Sequence, residues 1–331
     1  LILLCAHTPL EYSVTSLNTL FAQPMNLFRV RFWKMLADIA RFGREAPKLL
    51  RTADDRLTVQ DYIASAGFGD AFVRNYLIPL GASLWSCPTA TFRQFPMRFV
   101  VEFLSNHAML QITGRPEWRV VQGGSKQYIG PLTRGFADRI RLSTPVTLVR
   151  RMQDRVTLTL RGGEEQSFDH VVMASHADTS LRLLGADASA TERELLEAFP
   201  YQPNEAVLHT DTAVLPKNRR TWSSWNYRIS ERSGDQATVT YNMNMLQSLD
   251  SKHTFCATLN DDDPVDPAKF VRRIRYEHPI YTTRRDAAQK RHGEVINRNR
   301  TSFCGAYWGY GFHEDGVNSA LAVCRAFGRT L

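Results

Sequence analysis

The C-terminal stretch constrains the fold most. In Thr301-Ser-Phe-Cys-Gly-Ala-Tyr-Trp-Gly-Tyr-Gly-Phe-His-Glu-Asp-Gly316, a short apolar run over residues 302–306 leads into Gly305, Gly309 and Gly311. The acidic turn Glu314-Asp315-Gly316 follows, and then a small-residue stretch with helical spacing. The order is strand, glycine-rich loop, helix N-terminus. Glycine lets a backbone lie against a phosphate or a sugar because it has no Cβ, and the first N–H groups of a helix have no acceptor within it. An Asp at such a start can accept from ligand hydroxyls and is favoured by the helix dipole. A ligand-free turn capped by the Asp has the same pattern, so spacing alone leaves both roles open.

The remaining 300 or so residues can bury a large core, and typical sizes allow about two domains. A hydrophobic content of 43% with 22% charged residues is that of a globular chain. No apolar run reaches the ~18 residues that a membrane-spanning helix needs. Leu1-Ile-Leu-Leu-Cys-Ala6 is too short for the apolar region of a signal peptide and has no basic segment before it. Five scattered cysteines (Cys5, Cys87, Cys256, Cys304, Cys324) form no C-x-x-C, which points to a cytoplasmic chain with neither a disulfide framework nor a zinc site.

The +8 net charge is uneven. Residues 26–56 hold eight Lys/Arg, among them Arg29, Arg31 and Lys34, against four acids (Asp38, Glu45, Asp54, Asp55). Leu27, Val30, Trp33, Leu36, Ile39 and Ala40 recur at three- and four-residue spacing, which predicts an amphipathic helix with a basic polar face. Such a helix packs on a core or rests on anionic lipid headgroups, which would make the chain peripheral to a membrane. Residues 271–300 hold nine more Lys/Arg. Neither stretch interleaves aromatic and basic residues in a nucleic-acid module, so no nucleic-acid partner is expected.

From Asn26 to about Leu110 the pattern is helical, broken at Gly67-Phe-Gly69 and around Ser86-Cys-Pro88. Arg119-Val-Val121 reads as a strand, Gly123-Gly124 as a tight turn and residues 125–136 as a helix. Residues 146–150, 156–160 and 171–174 read as a three-stranded antiparallel excursion that returns to the main sheet. Runs at 206–209, 222–228, 237–242 and 255–259 predict a second antiparallel sheet. H-E-x-x-H, G-x-S-x-G and a Walker loop are all absent from the sequence, and no metal site is expected. His313, Glu314 and Asp315 are adjacent at a helix start and cannot all face one substrate, so capping and cofactor binding fit them better than acid–base catalysis.

Gly305-Ala-Tyr-Trp-Gly-Tyr-Gly-Phe-His-Glu-Asp-Gly316 resembles the C-terminal FAD-binding segment of bacterial flavoproteins in the amine oxidase superfamily. Tyr12-Ser-Val-Thr-Ser-Leu-Asn-Thr-Leu-Phe-Ala-Gln23, Trp118-Arg-Val-Val-Gln-Gly-Gly-Ser-Lys-Gln-Tyr128, Val171-Val-Met-Ala-Ser-His-Ala-Asp178 and Trp222-Ser-Ser-Trp-Asn-Tyr227 resemble that family's blocks in its order. The resemblance implies an α/β chain: an FAD/NAD(P)-binding Rossmann-like domain, incomplete at its N-terminus, with an α+β substrate domain. Implied boundaries are a mostly helical region at 11–115, FAD-binding parts at 116–185 and 296–331, and a substrate sheet at 186–295. The family opens with a G-x-G-x-x-G turn, and this sequence contains none. A first βαβ unit of about 30 residues or more is therefore expected to lie outside it.

The resemblance also implies site residues. Val146, Ala174, Gly305, Ala306, Tyr307, Gly311, Phe312, His313, Glu314, Asp315 and Gly316 would meet FAD. Trp222, Trp225, Tyr227 and Trp308 would line the substrate pocket. His107 and His209 also match family blocks without an assigned role, His176, a lone His at a strand end, reads as a structural hydrogen-bonder, and the catalytic group is open. The expected activity is FAD-dependent removal of a hydride from a C–H bond of a small molecule, either an amine or a hydrophobic, acyl or isoprenoid-like compound. Two alternatives are an inactive fragment or scaffold that cannot hold FAD, and a lipid-surface interaction protein.

Overall fold

Helical periodicity in the first hundred residues does produce helices, but the longest of them buries a different face from the one its spacing suggests. The computed structural model describes residues 10–13, 16–51, 56–85, 87–111, 117, 119–228, 238–261 and 265–330. Leu1 to Ala6, Val14, Thr15, Asp54, Asp55, Ser86, Trp118 and Ala237, used above, lie outside the described residues. In the helix Val30–Glu45 the buried side chains are Phe32, Met35 and Phe42. Val30 and Trp33, from the predicted apolar stripe, are 70% and 49% exposed. Aromatic packing decides the orientation. Phe32 meets Tyr12 edge-on at 5.8 Å, and Phe42 meets Phe72 at 5.6 Å and Tyr62 at 6.2 Å.

The described chain falls into two compact units, one containing Gln202–His278 and the residues up to Thr133, the other Arg134–Tyr201 and the residues from Pro279 onward. In the first, Val59–Ala66 is closed at its start by reciprocal Thr58 and Asp61 hydrogen bonds and at its end by Gly67 in the left-handed region (φ 63°). That glycine is the predicted interruption. Asp70–Phe72, a π-helical turn Val73–Leu77 and Ile78–Leu84 then run on from one another. Pro79 has no N–H to return to the Asn75 carbonyl, and the Tyr12 hydroxyl donates to that oxygen at 2.7 Å. Trp85 gathers Phe92, Phe95, Phe99 and Phe103 within 5.8 Å, and this cluster seats the helix Met97–Asn106.

The strands, in chain order, are β1 (Val146–Arg151), β2 (Val156–Leu160), β3 (Glu165–Phe168), β4 (Val171–Met173), β5 (Tyr201–His209), β6 (Trp225–Arg228), β7 (Thr238–Asn242), β8 (Cys256–Leu259), β9 (Phe270–Pro279) and β10 (Thr301–Phe303). The sheet of the first unit has the order β6-β7-β8-β5-β9. The sequence reading lacks β9, whose Arg272, Arg273, Arg275 and Glu277 mask strand periodicity. Charge on an edge strand is a common guard against edge-to-edge pairing. Arg119-Val-Val121 forms no strand. Val120 and Val121 are about half exposed, and the Val121 carbonyl accepts instead from Gly124 N at 2.9 Å across the Gly123-Gly124 turn. The helix predicted for 125–136 is a 3₁₀ turn Ser125–Tyr128 followed by Ile129–Thr133.

In the second unit β1, β2 and β3 form an antiparallel sheet, while β4 pairs with β10 in parallel. The third strand of the excursion is thus Glu165–Phe168, not residues 171–174. Its polar sequence, Glu-Gln-Ser-Phe, hides it from a hydrophobicity search. Met173, Ala177, Leu184, Leu196, Phe199 and Phe303 belong to the core of this unit. Beside it Arg151 and Glu192 make a bidentate pair at 2.6 and 2.8 Å, with side chains only 7% and 2% exposed. No helix among the described residues is long and apolar enough to cross a membrane.

Candidate functional site

Because β4 and β10 are parallel, in register Met173 against Phe303, the segments that follow them leave the sheet at the same end. Cys304 N donates to Met173 O at 3.0 Å and holds the two exits side by side. From β4 the chain passes through exposed Ala174, part-buried Ser175 and exposed His176 into the helix Ala177–Leu184. From β10 it passes through Gly305, the 3₁₀ turn Ala306–Trp308 and Gly311 into the helix His313–Ala326. Two helix N-termini therefore follow two adjacent parallel strands at their carboxyl ends. In open α/β sheets this is where ligands bind.

The loop 305–311 is held from behind by residues that the sequence reading missed. Gln289 donates from Nε2 to Tyr307 O at 2.8 Å and Gly309 O at 2.9 Å. The Tyr281 hydroxyl donates to Tyr310 O at 2.8 Å. Arg285, four residues before Gln289 on the helix Arg285–Lys290, lies over the Tyr281 and Tyr310 rings. Ser319 Oγ accepts from Gly305 N and donates to Gly316 O, tying the loop's start to the helix. The i, i+4 spacing of Arg285 and Gln289 was the available signal, but it is submerged in the basic run 271–300.

The glycines answer first to this internal packing. A Cβ on Gly305 would come 2.5 Å from the Tyr307 ring, one on Gly309 2.2 Å from Asp315 Oδ1, and one on Gly311, at φ 96°, 2.5 Å from the Tyr281 hydroxyl. Asp315 is not in a turn before the helix. It sits in the helix's first turn, where its carboxylate accepts from Phe312 N at 2.9 Å. Phe312, His313 and Glu314 are exposed at that end, and Tyr307 is buried in the core. Small residues at Ala174, Ala306 and Gly316 leave the paired strand exits open to a ligand, and the exposed start of a 14-residue helix offers N–H donors. The residues present fit the elongated, anionic body of a dinucleotide.

The other candidates are placed differently. Val146 opens β1 opposite Leu160 and packs half-buried on the core, with no hydrogen bond to the loop among the described residues. Trp308 stacks on His292 at 4.0 Å. Trp222, Trp225 and Tyr227 lie in the first unit. Trp222 Nε1 donates to Pro216 O at 2.8 Å, Trp225 meets Tyr241 edge-on at 5.5 Å, and Tyr227 packs in a small core with Ala82 and Val239. His107 donates from Nδ1 to Phe103 O at 2.8 Å, and exposed His176 stacks on Tyr201 at 4.3 Å.

His209 and His292 are structural rather than basic. His209 accepts from Asp211 N at Nδ1, which leaves Nε2 to donate to Thr258 Oγ1 at 2.7 Å. His292 Nε2 donates to Phe303 O at 2.7 Å. Burial is the main cause that lowers both pKa values, with opposing pulls from Asp211 on His209 and from the Phe303 carbonyl on His292. The lowered values favour the neutral form of both rings in the folded state. Their contribution is complete above the unfolded-state value of about 6.5 and is lost as pH falls through the lower folded values. The thermal unfolding midpoint is expected to drop between pH 7 and pH 5, and to drop less in His292→Phe. An unchanged pH slope in that variant would exclude His292 as a contributor.

Parallel strands, their carboxyl-end loops and paired helix N-termini define a dinucleotide-binding protein. The model of the family described as flavin containing amine oxidoreductase matches residues 37–259, and the chain belongs to that family. FAD is the cofactor of this family, whose members are FAD-dependent oxidoreductases. Among solved structures, the CLA-producing fatty acid isomerase from P. acnes is 13% identical over 90% of this chain and 75% of that one, with TM-score 0.58. Cyclohexylamine oxidase from Brevibacterium oxydans IH-35A is 14% identical over 99% and 81%, with TM-score 0.58. Putrescine oxidase, bound to putrescine, is 12% identical over 91% and 76%, with TM-score 0.60. These likenesses show the fold. No curated protein matches the chain.

Proposed function

We infer that the reaction is removal of a hydride from a C–H bond of a small, largely hydrophobic molecule, with FAD held at the carboxyl ends of β4 and β10. The observation that carries this reading is the pair of parallel strand exits, each followed by a helix start, with the exposed first turn His313-Glu-Asp315 at one of them. Bound FAD supplies the two-electron acceptor. The chain's own part is binding and orientation. N–H groups at the start of His313–Ala326 would hold an anionic or carbonyl group of the cofactor, while Gly305, Ala306, Gly311 and Gly316 would let the backbone approach it. Phe312 and Ala174 would contact it from the two exits, and Val146 from β1.

In the first unit, part-buried Trp222 and Trp225 are the side chains proposed to shape the substrate pocket with Tyr227, excluding water from the bond to be oxidised; Trp308, in the second unit, is proposed to contribute from beside the cofactor loop. An amine remains the second substrate class, because oxidases of two amines share the fold. Anaerobic mixing of the flavin-loaded protein with panels of acyl, isoprenoid and amine compounds tests the reading. Bleaching near 450 nm by one class identifies the substrate, and no bleaching by any class, in a protein that retains flavin, contradicts it.

A further inference from the structure

A cavity of about 330 Å³ in the first unit lies outside all of this. That volume is at the lower end of small-molecule pockets, about 300–1,000 Å³. Leu10, Phe32, Met35 and Ala71 supply its apolar lining, and Phe32, Met35 and Ala71 are themselves buried. The other side is cationic. Arg29, Arg31 and Arg74 line it, and Arg31 and Arg74 remain 71% and 73% exposed at the side chain, which puts charge at the mouth and hydrocarbon within.

Three guanidinium groups face one local acid. Asp70 bridges Arg31 at 2.8 Å and Arg74 at 2.7 Å. Among the described residues the Arg29 guanidinium bonds only the neutral Asn26 side chain, at 3.2 Å. The mouth therefore carries an excess of positive charge beside a closed apolar wall. An arginine fork matches a carboxylate or phosphate in plane and in donor count. We propose that this cavity binds a single-chain anionic amphiphile, its alkyl tail along Leu10, Ala71 and the hydrocarbon stems of the arginines and its acidic head on Arg29 and Arg74. Binding there needs no flavin and no turnover, so its failure leaves the oxidoreductase reading untouched.

Calorimetric titration of the full chain with decanoate, below its micellar concentration, tests this against decanol and decyltrimethylammonium. Decanoate is expected to bind at least about tenfold more tightly than decanol, one charge-assisted contact's worth, and to weaken as salt screens the arginines. The exposed substitution Arg29→Gln is expected to weaken decanoate about tenfold and leave decanol unchanged. Ala71→Leu, which fills the cavity, is expected to weaken both, with circular dichroism confirming the fold. Equal affinity for decanoate and decanol, or an Arg29→Gln protein that binds decanoate as before, overturns the proposal. So does binding to phosphatidylglycerol vesicles that saturating decanoate does not displace, combined with no binding of the monomer, because the basic surface then serves a bilayer and not a pocket.

Discussion

Glu192→Ala is expected to destabilise the second unit by about 3–5 kcal/mol, the usual cost of leaving one member of a buried ion pair without its partner. The Glu192 carboxylate accepts from both terminal guanidinium nitrogens of Arg151 and from Ser189 N at 2.7 Å, and Arg151 also donates its backbone N–H to Asp187 at 2.8 Å. One carboxylate thus joins strand β1 to the start of the helix Ala190–Leu196. Removing it strands a guanidinium that is 7% exposed and also opens the helix cap, in which the Ser189 hydroxyl accepts from Glu192 N. Arg151→Met with Glu192→Leu is expected to recover much of the loss, because apolar residues of similar volume need no counter-charge.

The same carboxylate has a pH signature. Burial alone would raise its pKa, but hydrogen bonds from Arg151 and Ser189 and the Arg151 charge outweigh burial and hold it below the usual carboxylate range. A lowered folded value means that the stabilisation is complete above the unfolded value, about 4.3, and disappears as pH falls through the folded one. Chemical denaturation at pH 7 and pH 3 measures both effects. A Glu192→Ala cost that is the same at both pH values, or below 1 kcal/mol at pH 7, contradicts the assignment.

Gly311→Val is expected to lower FAD affinity about a hundredfold. A β-branched residue at φ 96° costs about 1–3 kcal/mol, and its Cβ would also displace the Tyr281 hydroxyl from the Tyr310 carbonyl, worth about 1 kcal/mol more. Together that is roughly two powers of ten in any equilibrium that needs the loop in place. Gly293→Ala serves as the control, since no atom lies within 4 Å of its Cβ position. FAD fluorescence quenching reads the difference. Equal affinity in the two variants would show that the loop's geometry does not matter to the cofactor.

The strand–loop–helix order at the C-terminus was legible because three independent signals coincide there: an apolar run, glycine spacing and acids near the helix start, although the acids lie inside the helix's first turn and not before it. The runs that became β1, β2, β7 and β8 were legible for the same reason, as β-rich residues bounded by turns. What failed was long-range. Arg119-Val-Val121 has strand composition and no partner strand among the described residues, whereas Glu165–Phe168 and Phe270–Pro279 have polar composition and do have partners. Pairing, not propensity, decides such segments. In Val30–Glu45 two faces satisfy helical spacing, and only the position of Tyr12 and Phe72 determines which is buried. The support of the glycine loop by Gln289, Arg285 and Tyr281 depends on an approach across some twenty residues that no local pattern encodes.

FAD is proposed to sit at the exits of β4 and β10, and a titration with FAD measures this. The purified chain is mixed with FAD, desalted, and its visible absorbance compared with its protein content. Oxidised-flavin bands are expected to stay with the protein near one flavin per chain and to diminish in Gly311→Val. A folded chain, shown by its circular dichroism, that emerges colourless from desalting and leaves FAD fluorescence unquenched would contradict it.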